Sequence, residues 1–365
     1  MQPPQADFGP IAVGLGPGTL PGHASLERLA LGHVRALGAA GHAVTWVTPG
    51  EGEGPAGVHR ELRAGVPVLQ LQAPEGAGDG QRFALWRQAV AGARVLHLYP
   101  CEKGTGGLVQ ALAPELPVVL SLMHLPEHDL GLWQREIDAA ARILVPGRTL
   151  LVRLADRLRL DPARVRIVEP GLPYGSELTS RSARTWAGVG PLRILHLGER
   201  GPDSGFEDLL AAIAMLEKDQ VQLCCFGQPG RGAAPALRPA ALQVTLGDRL
   251  DTQAIATLAR SCHLAAFPMR RELGYTLVAE EALALGLPVL ASHCDGVVER
   301  HGSGAIEVLP AGDVPAWARA LRHHLSDPAD LALAQAALPG TIADAAGVAT
   351  RLHALYGEIL ATRAA

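Results

Sequence analysis

The sequence predicts an α/β protein built on doubly wound parallel sheets, and three observations carry that prediction. Short apolar runs alternate with segments of helical period along the chain, as βαβ units require. Runs such as His263 to Phe267 stop abruptly at a proline, the signature of a buried strand rather than a helix. The 365 residues, 48% of them hydrophobic, suffice for two sizeable domains with their own cores.

Taken in order, the first strand is Ile11 to Leu15, followed by the glycine-rich loop Gly14-Leu-Gly-Pro-Gly-Thr-Leu-Pro-Gly-His23. Its glycines Gly16, Gly18 and Gly22 let backbone approach a ligand without side-chain obstruction, although the spacing is not that of a dinucleotide fingerprint. Leu26, Leu29, Val34 and Leu37 recur at helical spacing and lead into a second strand ending at Pro49. Strands follow at Val68 to Leu71, Val95 to Pro100, Pro117 to His124, Arg142 to Pro146 and Val165 to Gly171. Helices fall at Phe83 to Ala91, Leu108 to Leu112 and Thr149 to Leu160. Leu172 to Pro191 is polar and aperiodic, a linker composition.

The second half repeats the pattern. Strands are expected at Leu192 to Gly198, Val221 to Gly227, Leu242 to Leu246, His263 to Phe267, Pro288 to Ser292 and Ala305 to Leu309. Helices are expected at Phe206 to Leu216, Thr252 to Arg260, Thr276 to Leu285, Asp313 to Leu325, Pro328 to Ala337 and Leu352 to Ala361. Glu272 stands in the loop outside the carboxyl end of a strand, where open α/β sheets bind ligands. The amides of Tyr275, Thr276 and Leu277 open the next helix without intrahelical acceptors, so they and the helix dipole suit a phosphate oxygen, with Gly274 just before them.

Charge and cysteines narrow the function classes. A net charge of −4 and a pI near 6.4 give no polyanion signal, so nucleic acid is not an expected partner. Cys101, Cys224, Cys225, Cys262 and Cys294 contain no paired Cys-x-x-Cys and sit in or beside expected strands, as small core residues in a reducing compartment would. No basic segment followed by an apolar core opens the chain and no apolar run has the length of a membrane span, so the expectation is a cytoplasmic protein.

The run Glu281-Ala-Leu-Ala-Leu-Gly-Leu-Pro-Val289 resembles the nucleotide-sugar signature of family 4 retaining glycosyltransferases (glycosyl transferases group 1). Gly41-His-Ala-Val-Thr45, Glu169-Pro-Gly-Leu-Pro173 and Leu246-Gly-Asp-Arg-Leu250 resemble further stretches of that family. The resemblance implies a GT-B fold, two Rossmann-like domains facing each other across a cleft. It places an acceptor-side domain at 1–175, a donor-binding domain at 190–345 and a terminal helix at 346–365 that crosses back to the first domain. It also implies retaining transfer of a sugar from a nucleotide-diphosphate sugar to an unidentified acceptor, with no metal and no cofactor beyond that substrate. Because such families use lipid acceptors, peripheral membrane association belongs to the same implication.

Residue by residue, the resemblance places Glu281 on the ribose, Glu272 beside the donor sugar and phosphate, Gly247 by the base, and His124, at a strand end, on the donor sugar. The family's seven-residue spacing between glutamates fits Glu272 and Glu280 instead, which leaves Glu280 as the alternative ribose ligand. His97 and His128 are expected to be structural. The loop after the strand at Leu192 departs from the family: Glu199 and Ser204 stand where an Arg and a Lys neutralise the diphosphate. Arg200, one place later, or Arg270 and Arg271 beside Glu272 are then the basic side chains available to the leaving group. A binding subunit that has lost turnover is the alternative that this departure favours.

Overall fold

A computed structural model of the chain describes residues 9–15, 24–50, 54–101, 104–126, 129–174, 185–198, 200–227, 243–247, 252–271 and 274–364. The chain separates into two compact units, one formed by residues 1–174 together with 343–365, the other by 175–342. Among the described residues no helix is long and apolar enough to cross a membrane.

The first unit is built from β1 (Ile11–Leu15), α1 (Ala24–Ala39), β2 (Val44–Pro49), β3 (Gly57–Arg63), β4 (Val66–Gln72), α2 (Asp79–Ala89), β5 (Val95–Tyr99), α3 (Leu108–Leu112), β6 (Val118–Ser121), α4 (Leu130–Ala139), β7 (Arg142–Val145), α5 (Arg148–Ala155) and β8 (Val165–Ile167). Its eight strands run in the order β3-β4-β2-β1-β5-β6-β7-β8. All neighbours are parallel except β3 and β4, an antiparallel pair at one edge. β1, β5 and β6 are buried along their whole length, as strands covered on both faces must be. β3, whose residues are polar and largely exposed, and α4 are elements that the apolar pattern does not announce.

The last helix of the chain, α12 (Ala345–Ala364), belongs to this unit and packs on α1, where the rings of His42 and His353 stack at 4.4 Å. A fully buried polar network lies beneath it. His97 Nδ1 is 2.7 Å from the Tyr356 hydroxyl on α12, and His97 Nε2 is 2.7 Å from Ser121 Oγ. His33 Nε2 lies 2.7 Å from the Pro170 carbonyl, which only accepts, so its Nδ1 accepts from the Tyr99 hydroxyl at 2.6 Å. Burial lowers His33 to about 4 and His97 to about 3, so both are neutral at pH 7. His97 is thus the structural histidine that the sequence leads one to expect.

The second unit comprises β9 (Leu192–Leu197), α6 (Phe206–Ala214), β10 (Val221–Phe226), β11 (Gln243–Gly247), α7 (Thr252–Ala259), β12 (Leu264–Phe267), α8 (Leu277–Ala284), β13 (Val289–Ala291), α9 (Asp295–His301), β14 (Ile306–Val308), α10 (Val314–Ser326) and α11 (Pro328–Ala336). Six parallel strands run in the order β11-β10-β9-β12-β13-β14. Helices cover the sheet over two apolar layers. One gathers Phe206, Leu209, Ile213, Trp317 and Leu321 from α6 and α10; the other gathers Ile255, Ala259, Leu283 and Val297 from α7, α8 and α9. All five cysteines are free thiols in the interior. Strand order reverses between β9 and β12, and the carboxyl ends at such a reversal are where open α/β sheets bind ligands.

Candidate active site

Two loops flank this switch point, one from Gly198 into α6 and one from Pro268 into α8, and both are pinned by backbone geometry. Gly205 has φ +65°, and a Cβ there would stand 1.8 Å from the Pro268 carbonyl oxygen, so only glycine allows the two loops to meet. The Asp203 carbonyl accepts from the amides of Arg270 at 2.9 Å and Arg271 at 3.4 Å, which ties the loops a second time. Ser204, at a position where the resembled family has lysine, spends its hydroxyl locally. It donates to the Gly201 carbonyl at 2.7 Å and accepts from the amides of Gly201 and Phe206 at 3.1 and 3.2 Å.

Arg200 lies on the first of these loops, near enough for its charge to bear on His196 and Cys225 at the ends of β9 and β10. His196 is buried between Phe206 and Phe267, and its Nδ1 donates to the Ala266 carbonyl across the switch point at 2.8 Å. Burial first, and the Arg200 charge as well, lower it to about 4 despite that hydrogen bond, so it is a neutral strut at the switch point.

The structure corrects the reading of Arg270. Its Nε and Nη2 form a bidentate pair with Asp208 Oδ2 and Oδ1 at 2.7 and 2.6 Å. Asp208 is 5% exposed on the first turn of α6, and Arg270, itself 54% exposed, supplies its counter-charge, so in this structure two of the three guanidinium nitrogens of Arg270 hold α6.

On the other side, α8 begins where the sequence places it. Thr276 is its N-cap, and its side chain makes no capping hydrogen bond to the first turn. Both glutamates of α8 are buried at 1% exposure, so neither is solvated helix surface. Their roles separate. Glu280 Oε1 accepts from Arg300 Nε at 2.8 Å and Nη2 at 2.5 Å, while Oε2 meets His301 Nε2 at 2.5 Å. Burial alone would raise the Glu280 carboxyl, but the His301 hydrogen bond and the Arg300 charge outweigh it and hold it below the usual carboxylate range. Glu280 is therefore the buried tie between α8 and α9, which corrects its candidacy as the ribose ligand. Glu281, one residue on, is equally buried.

Gly274, Tyr275, Thr276 and Leu277 thus lie at the start of α8, with Glu281 one turn further along it; Arg271 precedes them on the same loop, and Arg200 lies on the other loop of the switch point. Gly247 ends β11 in register with Phe226. His124 follows β6 by three residues in the first unit. Gly16, Gly18, Gly22, Glu272 and His128 lie outside the described residues. His196, Arg300 and His301 escaped the sequence reading; for His196 a clue was available, a polar residue inside an otherwise apolar strand.

Comparison with solved structures agrees with this architecture. Sucrose-phosphate synthase from Thermosynechococcus elongatus superposes with a TM-score of 0.73 at 18% identity, covering 97% of this chain and 100% of that one. Anabaena HepE in complex with UDP and glucose gives 0.67 at 15% identity, covering 96% and 98%. The fold is GT-B. In sequence, residues 191–327 match the family model for Glycosyl transferases group 1. Curated relatives include D-inositol 3-phosphate glycosyltransferases from Salinispora tropica, 31% identical over 220 residues, and from Corynebacterium efficiens, 30% identical over 216 residues. Those matches take in 53% of this chain and 45% and 50% of the relatives, so the chain spans about half the length of the curated relatives it matches. The group 1 match begins one residue before β9 and runs through α10, so it encloses the β9/β12 switch point.

Proposed function

We propose that the protein is a retaining, metal-independent glycosyltransferase whose second unit binds a nucleotide-diphosphate sugar at the β9/β12 switch point. The observation that carries the reading is the placement of the uncapped N-terminus of α8, with buried Glu281 in the same helix, at the carboxyl end of the reversing sheet. First-turn amides and the helix dipole suit a diphosphate, and a buried carboxylate suits the paired hydroxyls of a ribose. The group 1 sequence match over this unit, and the UDP named in solved structures of the same fold, support the same class of donor.

In this reading Glu281 holds the ribose, the amides of Tyr275, Thr276 and Leu277 hold the phosphates, and Arg200 and Arg271 face the leaving group. Gly247 lies by the base, and His124 and Glu272 attend the donor sugar. The bond from the anomeric carbon to the phosphate oxygen breaks, and the acceptor hydroxyl attacks from the same face. Its proton passes to the departing phosphate oxygen. Positive groups already fixed at the phosphate lower the barrier because charge accumulates there as the bond breaks. Acceptor recognition is assigned to the first unit. Five free, buried cysteines agree with a reducing, cytoplasmic setting.

The test is a thermal-shift titration with UDP-, GDP-, ADP- and TDP-sugars, followed by assay of donor hydrolysis. Stabilisation by one donor with slow release of its nucleoside diphosphate supports the enzyme; stabilisation without release by any donor would move the assignment to a binding subunit. Absence of stabilisation by every donor would remove the reading.

A further inference from the structure

If the second unit binds a diphosphate, the resembled family's two cations after β9 are replaced here by Glu199 and Ser204. Arg270 is spent on Asp208. The structure contains another guanidinium at this site that no local motif announces. Arg300, on α9, has a side chain only 8% exposed. Two of its three nitrogens are bound to Glu280 in α8. The third, Nη1, is buried and has no hydrogen-bond partner. The guanidinium carbon lies 5.1 Å from the centre of the Tyr275 ring, the residue before the α8 cap.

The surroundings of Nη1 show which way it faces. Gly296, one turn earlier on α9, is part-exposed, and a Cβ built there would stand 3.4 Å from Nη1 and 3.2 Å from the carbonyl oxygen of Gly274. Nη1 therefore lies beside Gly296 and toward Gly274, on the side where α8 begins. A charged donor left without an acceptor in the interior is unfavourable, so its retention beside a helix start with no side-chain cap calls for an anionic acceptor.

We propose that Arg300 is a phosphate-binding residue of the donor site, with Nη1 donating to an oxygen of the donor's diphosphate on the side of Gly274 and the start of α8. This rests on the functional reading above and extends it by naming the side chain that supplies the positive charge. Glu280 and His301 are then positioning residues: they fix the guanidinium so that one edge serves α8 and the other the ligand.

The experiment uses the full chain and compares UDP with uridine by calorimetry in three proteins: wild type, Arg300→Gln and Gly296→Ala. Glutamine can still donate one hydrogen bond to Glu280 but places nothing at the Nη1 position. Alanine at 296 keeps every ionic group and sets a methyl 3.4 Å from Nη1. The expected result is a loss of about tenfold or more in UDP affinity in both variants, with uridine affinity unchanged. Melting temperatures are measured with the affinities, because the methyl at 296 stands 3.2 Å from the Gly274 carbonyl as well as 3.4 Å from Nη1, and an affinity loss supports the assignment in whichever variant melts close to wild type. UDP affinity equal to wild type in Gly296→Ala and in folded Arg300→Gln overturns the assignment of Arg300 alone. Failure of the wild-type protein to bind UDP, GDP, ADP or TDP overturns the donor-site reading itself, and the assignment with it.

Discussion

Substituting the two adjacent glutamates of α8 separately distinguishes a structural carboxylate from a ligand-binding one. In Glu280→Ala the positive edge of Arg300 and the His301 imidazole, with side chains 8% and 6% exposed, lose their common acceptor inside the second unit. Breaking a buried pair from one side is unfavourable by about 3–5 kcal/mol. For a unit of this size each kcal/mol moves the melting temperature by about 2–4 °C, so the expected drop is about 6–20 °C. Glu281→Ala removes the adjacent carboxylate and is expected to lower donor affinity by about ten- to a hundredfold, from about 1.5–3 kcal/mol of charge-assisted contact with the ribose. Scanning fluorimetry and calorimetry with the same nucleotide measure both quantities on both variants. Because the Glu280 carboxyl is held below its usual range, its contribution is fully present above the unfolded-state value and is lost as pH falls through the depressed one. The difference in melting temperature between wild type and Glu280→Ala should therefore shrink in acid. Loss of donor affinity in Glu280→Ala with an unchanged melting temperature, beside normal affinity in Glu281→Ala, would refute the division of roles and return the ribose to Glu280.

Gly205→Ala forces a methyl group into the Pro268 carbonyl from a left-handed backbone, so it should lower the melting temperature by several degrees; an unchanged melting curve would show that the two loops do not meet as described. His33 and His196, held neutral with values near 4, and His97, near 3, take up protons more readily when unfolded, so stability should be flat above about pH 6.5 and fall toward pH 4, each contributing up to about 1.4 kcal/mol per pH unit. Urea unfolding at several pH values checks this, and a smaller acid dependence in His97→Gln is expected. Arg200→Ala should lower kcat more than donor affinity, because charge builds on the phosphate in the transition state. Arg270→Ala should instead lower stability through the abandoned Asp208, so wild-type stability in that variant would contradict its structural role.

What was legible in the sequence is what neighbours in the chain decide. The buried parallel strands read as apolar runs because both of their faces are covered; β3 did not, because Gly57-Val-His-Arg-Glu-Leu-Arg63 forms an exposed edge with no apolar side to betray it. α8 was visible from its end signals, Thr276 before it and Gly286 after it. α9 was not: seven residues with Gly296 in the first turn and two adjacent valines carry no helical period. The same distinction governs the site. The expectation for Glu281 rests on the run that follows it, whereas the contacts of Glu280 are set by partners 20 and 21 residues later, on a helix the pattern did not reveal. Arg270 looked available because Glu272 is its neighbour in sequence, whereas its partner, Asp208, is 62 residues away on another helix. Charge balance in a folded site is therefore a property of contacts across elements. Proximity in sequence did not show the pairing of Arg270 with Asp208, nor the guanidinium of Arg300 that the parallel sheet brings beside α8.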